Sequence, residues 1–151
     1  MSCARPPRQP RFLETFESPA ALARGFLDAL EAKDLARLGT LPLSETEFVS
    51  EVFPEMPAAG NIPAGYAWQD LRQKSRNELS GILAYHGGKA YDLEQVVFDG
   101  GATAYETFVV HRKPRLHVRE PGTGVEKQLA LFGSVLEYRG RYKLFSYVVN
   151  R

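Results

Sequence analysis

The chain has three histidines, whose imidazole rings could bind a metal ion or transfer a proton. His111 and His117 share one predicted strand, and at the usual strand rise their spacing separates them by about 20 Å. They cannot chelate one metal unless the strand bends sharply at Pro114. His86 ends a predicted helix, where a cation would suit the helix dipole. The histidine spacing therefore predicts no metal site, and a structural role is favoured for each ring.

The sequence lacks the motifs that identify common catalytic sites. It has no His-Glu-x-x-His pair, no Gly-x-Ser-x-Gly elbow and no Walker loop. Gly122-Thr123-Gly124 precedes a predicted strand rather than a helix, so it is expected to form a turn and not a phosphate cradle. Cys3 is the only cysteine, which excludes an intrachain disulfide. We predict no cofactor and no metal.

Helices are predicted for the first half of the chain. Ser18-Pro19 combines a favoured N-cap with proline at the first helical position, and apolar residues then recur at helical spacing over Leu22–Leu30. Ser44 and Glu47 form a capping box, which starts another helical segment. A long helix with one broad apolar stripe is predicted over about Tyr66–His86.

Strands are predicted for the second half. They span Ala90–Phe98, Ala102–Arg112 with a continuation to Arg119, Val125–Tyr138 and Tyr142–Val149. Asp99-Gly100-Gly101 reads as a hairpin turn between the first two. The last two strands carry apolar residues on both faces, so both faces of the sheet are expected to be covered. Little chain is left to cover the second face, which favours a homodimer; a long curved sheet that wraps around is the alternative.

This order of elements resembles the nuclear transport factor 2-like superfamily, which has a cystatin-like α+β fold. The residues that carry the likeness are Ser18-Pro19 with its apolar stripe, Trp68–His86 and the closing segment from Phe132 to Val149. The resemblance implies N-terminal helices packed on a curved antiparallel sheet of about four strands, which wraps the long helix into a cone. Many members dimerise through the outer face of the sheet. A single domain is expected over residues 16–151, after a disordered Pro/Arg-rich tail at 1–15.

The resemblance also implies a pocket inside the cone. Acid–base enzymes of the superfamily pair a carboxylate or histidine base with a tyrosine or protonated acid in an apolar pocket. Glu106 is either such a pocket acid or an outward residue at a dimer face, and which strand face points inward stays open. No catalytic residue is assigned; Glu106, His111 and Tyr105 belong to the alternative of an isomerase- or cyclase-like enzyme. The expected ligand pocket is lined by Tyr66, Trp68, Arg72, Tyr105, Thr107, His111 and Tyr147.

Composition and charge limit the classes of partner. Lys and Arg total 19 against 18 Asp and Glu, and this near balance argues against nucleic acid as a partner. Basic residues near one end of the predicted sheet favour a solvated edge, with an anionic ligand or a lipid surface as the second interpretation. The leading prediction is a non-catalytic module that binds a small apolar or amphipathic ligand in the cone, or a protein partner through the sheet.

The location of the protein has two interpretations. No run of about 18 apolar residues could span a membrane, so a cytoplasmic protein is expected. Cys3, which follows Met1-Ser2 and precedes a segment rich in proline and arginine, also fits a lipoprotein whose signal has been removed. In that case the membrane would be a partner through a lipid on Cys3.

Overall fold

The computed structural model describes residues 12–149, with four α-helices followed by seven strands in that range. The helices are α1 Pro19–Ala32, α2 Leu35–Thr40, α3 Glu45–Glu47 and α4 Ala64–His86, and a π-helical turn at Phe48–Val52 with 3-10 turns at Phe53–Glu55 and Pro57–Gly60 lies between α3 and α4. Ser18 caps α1, and Ser44 and Glu47 form the expected capping box. An α+β fold is therefore confirmed.

The strands form two antiparallel sheets. Their bounds are β1 Asp92–Phe98, β2 Ala102–Ala104, β3 Val109–His111, β4 Pro114–Arg119, β5 Glu126–Leu129, β6 Val135–Tyr138 and β7 Arg141–Leu144. One sheet has the order β1-β4-β5 and the other has the order β2-β3-β6-β7.

The two sheets are halves of one bent meander. Phe98 lies opposite Pro114, and Ala102 lies opposite His111. The connection from β1 to β2 therefore contains one residue more than the connection from β3 to β4, which lies beside it. An extra residue in one strand is a bulge, which bends the strand and increases its twist. Long strands thus pass from the first sheet into the second, and the bend lies at residues 99–101 and 112–113.

The predicted hairpin turn at Asp99-Gly100-Gly101 is wrong, because this segment is the bend and not a chain reversal. The backbone N–H of Gly100 donates to the carbonyl of Arg112 at 3.1 Å, which continues the pairing across the bend. A Cβ on Gly100 would lie 2.8 Å from the Arg112 Cβ, so the close approach requires glycine. The reversal occurs four residues later, where the Tyr105 N–H donates to the Phe108 carbonyl at 2.8 Å.

The helix most enclosed by the sheets is α1. Its side chains join a core cluster with Leu116 of β4, Val135 of β6 and Leu144 of β7. Six residues of α1 are buried, whereas only Ser75 and Ile82 are buried among the 23 residues of α4. The expectation that the sheet wraps the long helix is therefore wrong: α4 lies across the outside and buries a narrow stripe, because most of its positions are polar.

The second face of the four-stranded sheet is covered by the chain itself. Val110 of β3 and Leu136 of β6 lie opposite each other and pack with Phe12, Phe48 and Phe53 in a second core cluster. The expectation that both faces are covered is thus confirmed. Covering this face needs no second copy, so a homodimer now lacks the argument that first favoured it and stays a prediction.

The N-terminal segment closes the free edge of β7. Phe16 and Tyr142 exchange two backbone hydrogen bonds of 2.8 Å. Phe12 is 4% exposed and packs in the second cluster, so the described segment ahead of residue 16 also packs against the sheet. The predicted domain bounds stay a prediction. Residues 1–11, which include Cys3 and most of the predicted tail, lie outside the described range.

The outer face of the three-stranded sheet is polar. Arg115 pairs with Asp99 at 3.0 Å and Arg119 pairs with Glu126 at 2.6 Å, beside the half-buried His117. This arrangement agrees with a solvated basic edge. Over residues 12–149, no helix combines the length and the apolar character that crossing a membrane requires.

Candidate functional site

A cavity of about 220 Å³ lies between α4, residues 39–44 and residues 145–147. We call it the α4 cavity. Its apolar walls include Trp68, Leu71 and Leu79 of α4 and Phe145 beyond β7. Three of its polar lining residues, Arg72, Ser75 and Arg76, also lie on α4, so the helix sets much of the chemistry of the site.

Helical periodicity explains how α4 lines the cavity with two rows. Leu71, Ser75 and Leu79 recur every four residues and form the inner row, in which Ser75 is buried. Trp68, Arg72 and Arg76 recur in the same way and form the neighbouring row. Residues four apart lie one above another on a helix, so each row presents its side chains to the same side.

Tyr147 forms the floor of the cavity and is held from two sides. Its backbone N–H donates to Ser75 Oγ at 3.0 Å, and its hydroxyl donates to the Leu38 carbonyl at 2.5 Å. Burial raises the pKa of the Tyr147 phenol well above its usual value of 10, so the side chain is neutral at physiological pH. The hydroxyl is therefore committed to the fold and does not act as an acid toward a ligand.

The mouth of the cavity is positively charged. Arg72 and Arg76 are both exposed, and neither forms an ion pair with a carboxylate of residues 12–149. No aspartate or glutamate of the described chain lines the cavity. The same two arginines also border a polar groove of about 250 Å³ on the outer side of α4, together with Gln69, Gln73 and Asn77.

Three of the seven predicted pocket residues meet at this cavity. Trp68 and Arg72 lie on its wall and mouth, and Tyr147 lies on its floor. Tyr66 belongs to the same helix but is 68% exposed and points away from the cavity lining.

Two further predicted pocket residues lie at the hairpin tip between β2 and β3. Tyr105 stacks on Phe108 with ring centroids 4.9 Å apart. Thr107 donates its backbone N–H to Glu55 at 2.9 Å, and Glu106 between them is exposed. The prediction that these residues lie inside a strand is wrong, so Glu106 and Tyr105 do not form an enclosed acid–base pair.

The structure groups His111 with a different carboxylate and a different tyrosine. His111 Nε2 lies 2.7 Å from Glu137 Oε1, and both side chains are partly exposed. Tyr142 lies opposite Glu137 in the sheet, and its ring is 6.2 Å from the His111 ring. Burial, followed by the charge of Glu137, raises the pKa of the Tyr142 phenol. The Phe98 ring packs against the imidazole of His111, with the two ring centroids 5.2 Å apart.

Metal binding finds no support in the described part of the chain. Between residues 12 and 149, no three His, Cys, Asp or Glu side chains lie close enough together to hold an ion.

Several residues of the two sites were missed from the sequence. Ser75, Arg76 and Phe145 line the α4 cavity, and the four-residue spacing of Arg72 and Arg76 was the signal that could have identified one of them. No such spacing in the sequence identifies Glu137, because Glu137 contacts His111 only when β3 pairs with β6.

The chain matches no protein-family model, no curated protein and no solved structure at a significant level. The resemblance to the nuclear transport factor 2-like superfamily therefore stays a prediction.

Proposed function

We propose that the protein is a non-catalytic module that binds a small amphipathic ligand in the α4 cavity. The observation that carries the proposal is the make-up of that cavity, with apolar walls and hydrogen-bond donors at its mouth. Ligand sites in proteins commonly combine apolar walls with a few placed polar groups. Trp68 is the largest apolar side chain of the lining, and Arg72 supplies a donor at the opening.

The size of the cavity limits the ligand. Drug-sized ligands occupy sites of about 300–1,000 Å³, and the α4 cavity has about 220 Å³. A short alkyl chain or a single aromatic ring is therefore the expected apolar part. A larger molecule would have to extend past the mouth into the polar groove on the other side of Arg72 and Arg76.

A binding role is favoured because the described lining offers no general base. Proton abstraction needs a carboxylate, a histidine or a similar group within hydrogen-bond reach of the substrate. Arg72 and Arg76 are cations, and the Tyr147 hydroxyl is bonded to the Leu38 carbonyl. The two arginines can orient a ligand, but none of these groups accepts a proton from it.

A pair of matched glycine substitutions tests the proposal. Gly39 lines the cavity, and a Cβ built there meets no atom within 4 Å, so Gly39→Leu adds a large apolar side chain at the lining without a clash. Gly81 on α4 also has open space around it but does not line the cavity. Calorimetric titration with hexanoate should show binding to the unaltered protein and to Gly81→Leu. Binding to Gly39→Leu should be lost; equal binding by both variants would contradict the proposal.

A second candidate function is an acid–base enzyme of the isomerase or cyclase type. The observation that favours it is the 2.7 Å contact between His111 Nε2 and Glu137 Oε1, with Tyr142 beside it. A carboxylate can orient a histidine for proton transfer, and a neutral tyrosine can donate a hydrogen bond to a developing enolate oxygen.

Deuterium exchange tests this second candidate. The enzyme reading requires that the protein accelerate exchange of the α-protons of cyclohexanone in D₂O, as followed by NMR, and that His111→Gln abolish the acceleration. His117→Gln is the matched control, because its Nε2 is buried without a hydrogen-bond partner in the described chain. Exchange no faster than in buffer, or an equal loss in both variants, would count against an acid–base role.

Two further predictions concern partners and location. We propose that the protein is a homodimer and that it is cytoplasmic. A lipid on Cys3 would overturn the cytoplasmic location. Native mass spectrometry of protein purified from its source would report the subunit number, a retained ligand and the mass of any lipid together. A monomer at micromolar concentration would contradict the homodimer.

A further inference from the structure

We infer that the ligand of the α4 cavity is a small monocarboxylate whose carboxylate group binds between Arg72 and Arg76 while its apolar body enters the cavity. This inference rests on the proposed function and specifies the chemical class of the ligand. It depends on the charge of the mouth, on the spacing of the two arginines and on one buried hydroxyl.

The two arginines at the mouth differ from Arg115 and Arg119 in having no carboxylate partner among the described residues. Arg115 and Arg119 are paired with Asp99 and Glu126, as described above. On α4 itself, Asp70 pairs with Lys74 at 2.9 Å, and neither arginine has a carboxylate partner within residues 12–149. An anionic ligand would therefore bind there without displacing an existing ion pair.

The spacing of the arginines suits one carboxylate. Residues four apart on a helix have Cβ atoms separated by roughly 6 Å, and the long arginine side chains can converge from there on one group. Guanidinium groups match the planar geometry of a carboxylate and can bind both of its oxygens. Because Arg72 and Arg76 are exposed, they can reorient toward a ligand without disturbing the core.

Ser75 adds a donor deeper in the cavity. Its Oγ accepts the Tyr147 N–H at 3.0 Å, and the described residues provide no acceptor for its own hydroxyl proton. Ser75 is 9% exposed and lines the cavity. A hydroxyl can donate and accept at the same time, so Ser75 can donate to a carboxylate oxygen that reaches past the arginines.

The arrangement of charged and apolar lining residues defines the orientation of the ligand in the α4 cavity. Leu71, Leu79 and Phe145 form walls behind the charged mouth. An alkyl chain placed against them leaves water, whereas its carboxylate stays at the solvent edge between two cations. The reverse orientation would bury the charge against apolar side chains, which is costly.

Calorimetric titration with hexanoate and with 1-hexanol separates this inference from the proposed function. The two probes share a six-carbon chain, but only hexanoate is charged at neutral pH. Hexanoate should bind about tenfold more tightly than 1-hexanol, as expected for added charge-assisted hydrogen bonds. Arg72→Gln and Arg76→Gln should each weaken hexanoate binding severalfold and weaken 1-hexanol binding less, because the alcohol carries no charge.

Lys74→Gln is the control for a general effect of charge. It removes one positive charge from the same helix but does not line the cavity, so hexanoate binding should be unchanged. Thermal unfolding of each variant shows that the fold is retained. Equal affinity for both probes, or an equal effect of Lys74→Gln, would overturn the carboxylate inference and leave the binding module intact. Failure of both probes to bind would overturn the proposed function itself.

Discussion

The Nζ atom of Lys143 lies 3.4 Å from Oε1 of Glu47, and both side chains are almost completely buried. Lys143 is on β7, whereas Glu47 ends the capping box of α3. The backbone of Leu13 joins the pair, because its N–H donates to Glu47 Oε2 at 2.6 Å and its carbonyl accepts from Lys143 Nζ. One buried ion pair thus connects the N-terminal segment, the cover of the sheet and the sheet itself.

Lys143→Met should destabilise the protein strongly. Removing one partner of a buried ion pair leaves the other charge without compensation, which typically costs about 3–5 kcal/mol. Denaturant unfolding of the variant measures the loss. Lys74→Met is the matched control, since Lys74 pairs with Asp70 in solvent and such pairs contribute little. A loss no larger than that of the control would show that the buried pair does not hold these segments together.

Tyr147→Phe should lower stability and change its dependence on alkaline pH. The variant leaves the Leu38 carbonyl without its donor, at a cost of about 1–3 kcal/mol. Burial raises the pKa of Tyr147 in the folded state, so below pH 10 both folded and unfolded chains keep the proton. Above pH 10 the unfolded chain releases it first, and the stability that this tyrosine contributes then decreases as pH rises.

Unfolding free energies of the unaltered protein and Tyr147→Phe, compared between about pH 8 and about pH 11, test this sign. The difference between them should shrink above pH 10. Tyr66→Phe should show no such change, because Tyr66 is 68% exposed. A difference that stays constant through the alkaline range would contradict the assignment.

Gly133→Ala should destabilise the segment that connects β5 and β6. A Cβ at Gly133 would clash with the Val148 carbonyl oxygen and lie 2.9 Å from that of Ser146, so the backbone would have to move. Such overpacking typically costs about 1–3 kcal/mol. Gly81→Ala on α4 meets no atom and should be neutral or stabilising, because alanine favours a helix. Equal stability of the two variants would show that the close approach at Gly133 is not required.

Local signals in the sequence predicted the helical half well. Ser18-Pro19 and the pairing of Ser44 with Glu47 act within four residues of their partners, so they identify helix starts without knowledge of the rest of the fold. The same locality explains the error at Asp99-Gly100-Gly101. Two glycines permit either a hairpin turn or a bulge, and the distant partners Arg112 and Lys113 decide between them.

The sequence predicted the residues of the α4 cavity better than it predicted the contact between His111 and Glu137. Trp68 and Arg72 could be identified from helical spacing, because a single helix brings both residues to the same side. The contact between His111 and Glu137 spans 26 positions and depends on the register of β3 with β6, which no local pattern specifies. The choice of α1 over α4 as the enclosed helix depends likewise on packing among distant strands.

Fluorescence of Trp68 during titration with hexanoate is the most direct measurement of the central claim. Trp68 is the only tryptophan of the chain and lines the α4 cavity, so all tryptophan emission comes from a side chain at that cavity. We expect a saturable change with a dissociation constant on the order of 1 mM, as suits a ligand of about eight non-hydrogen atoms. The change should persist in Gly81→Leu and disappear in Gly39→Leu. An emission that does not change with hexanoate, or a saturable change that Gly39→Leu retains, would contradict binding in the α4 cavity.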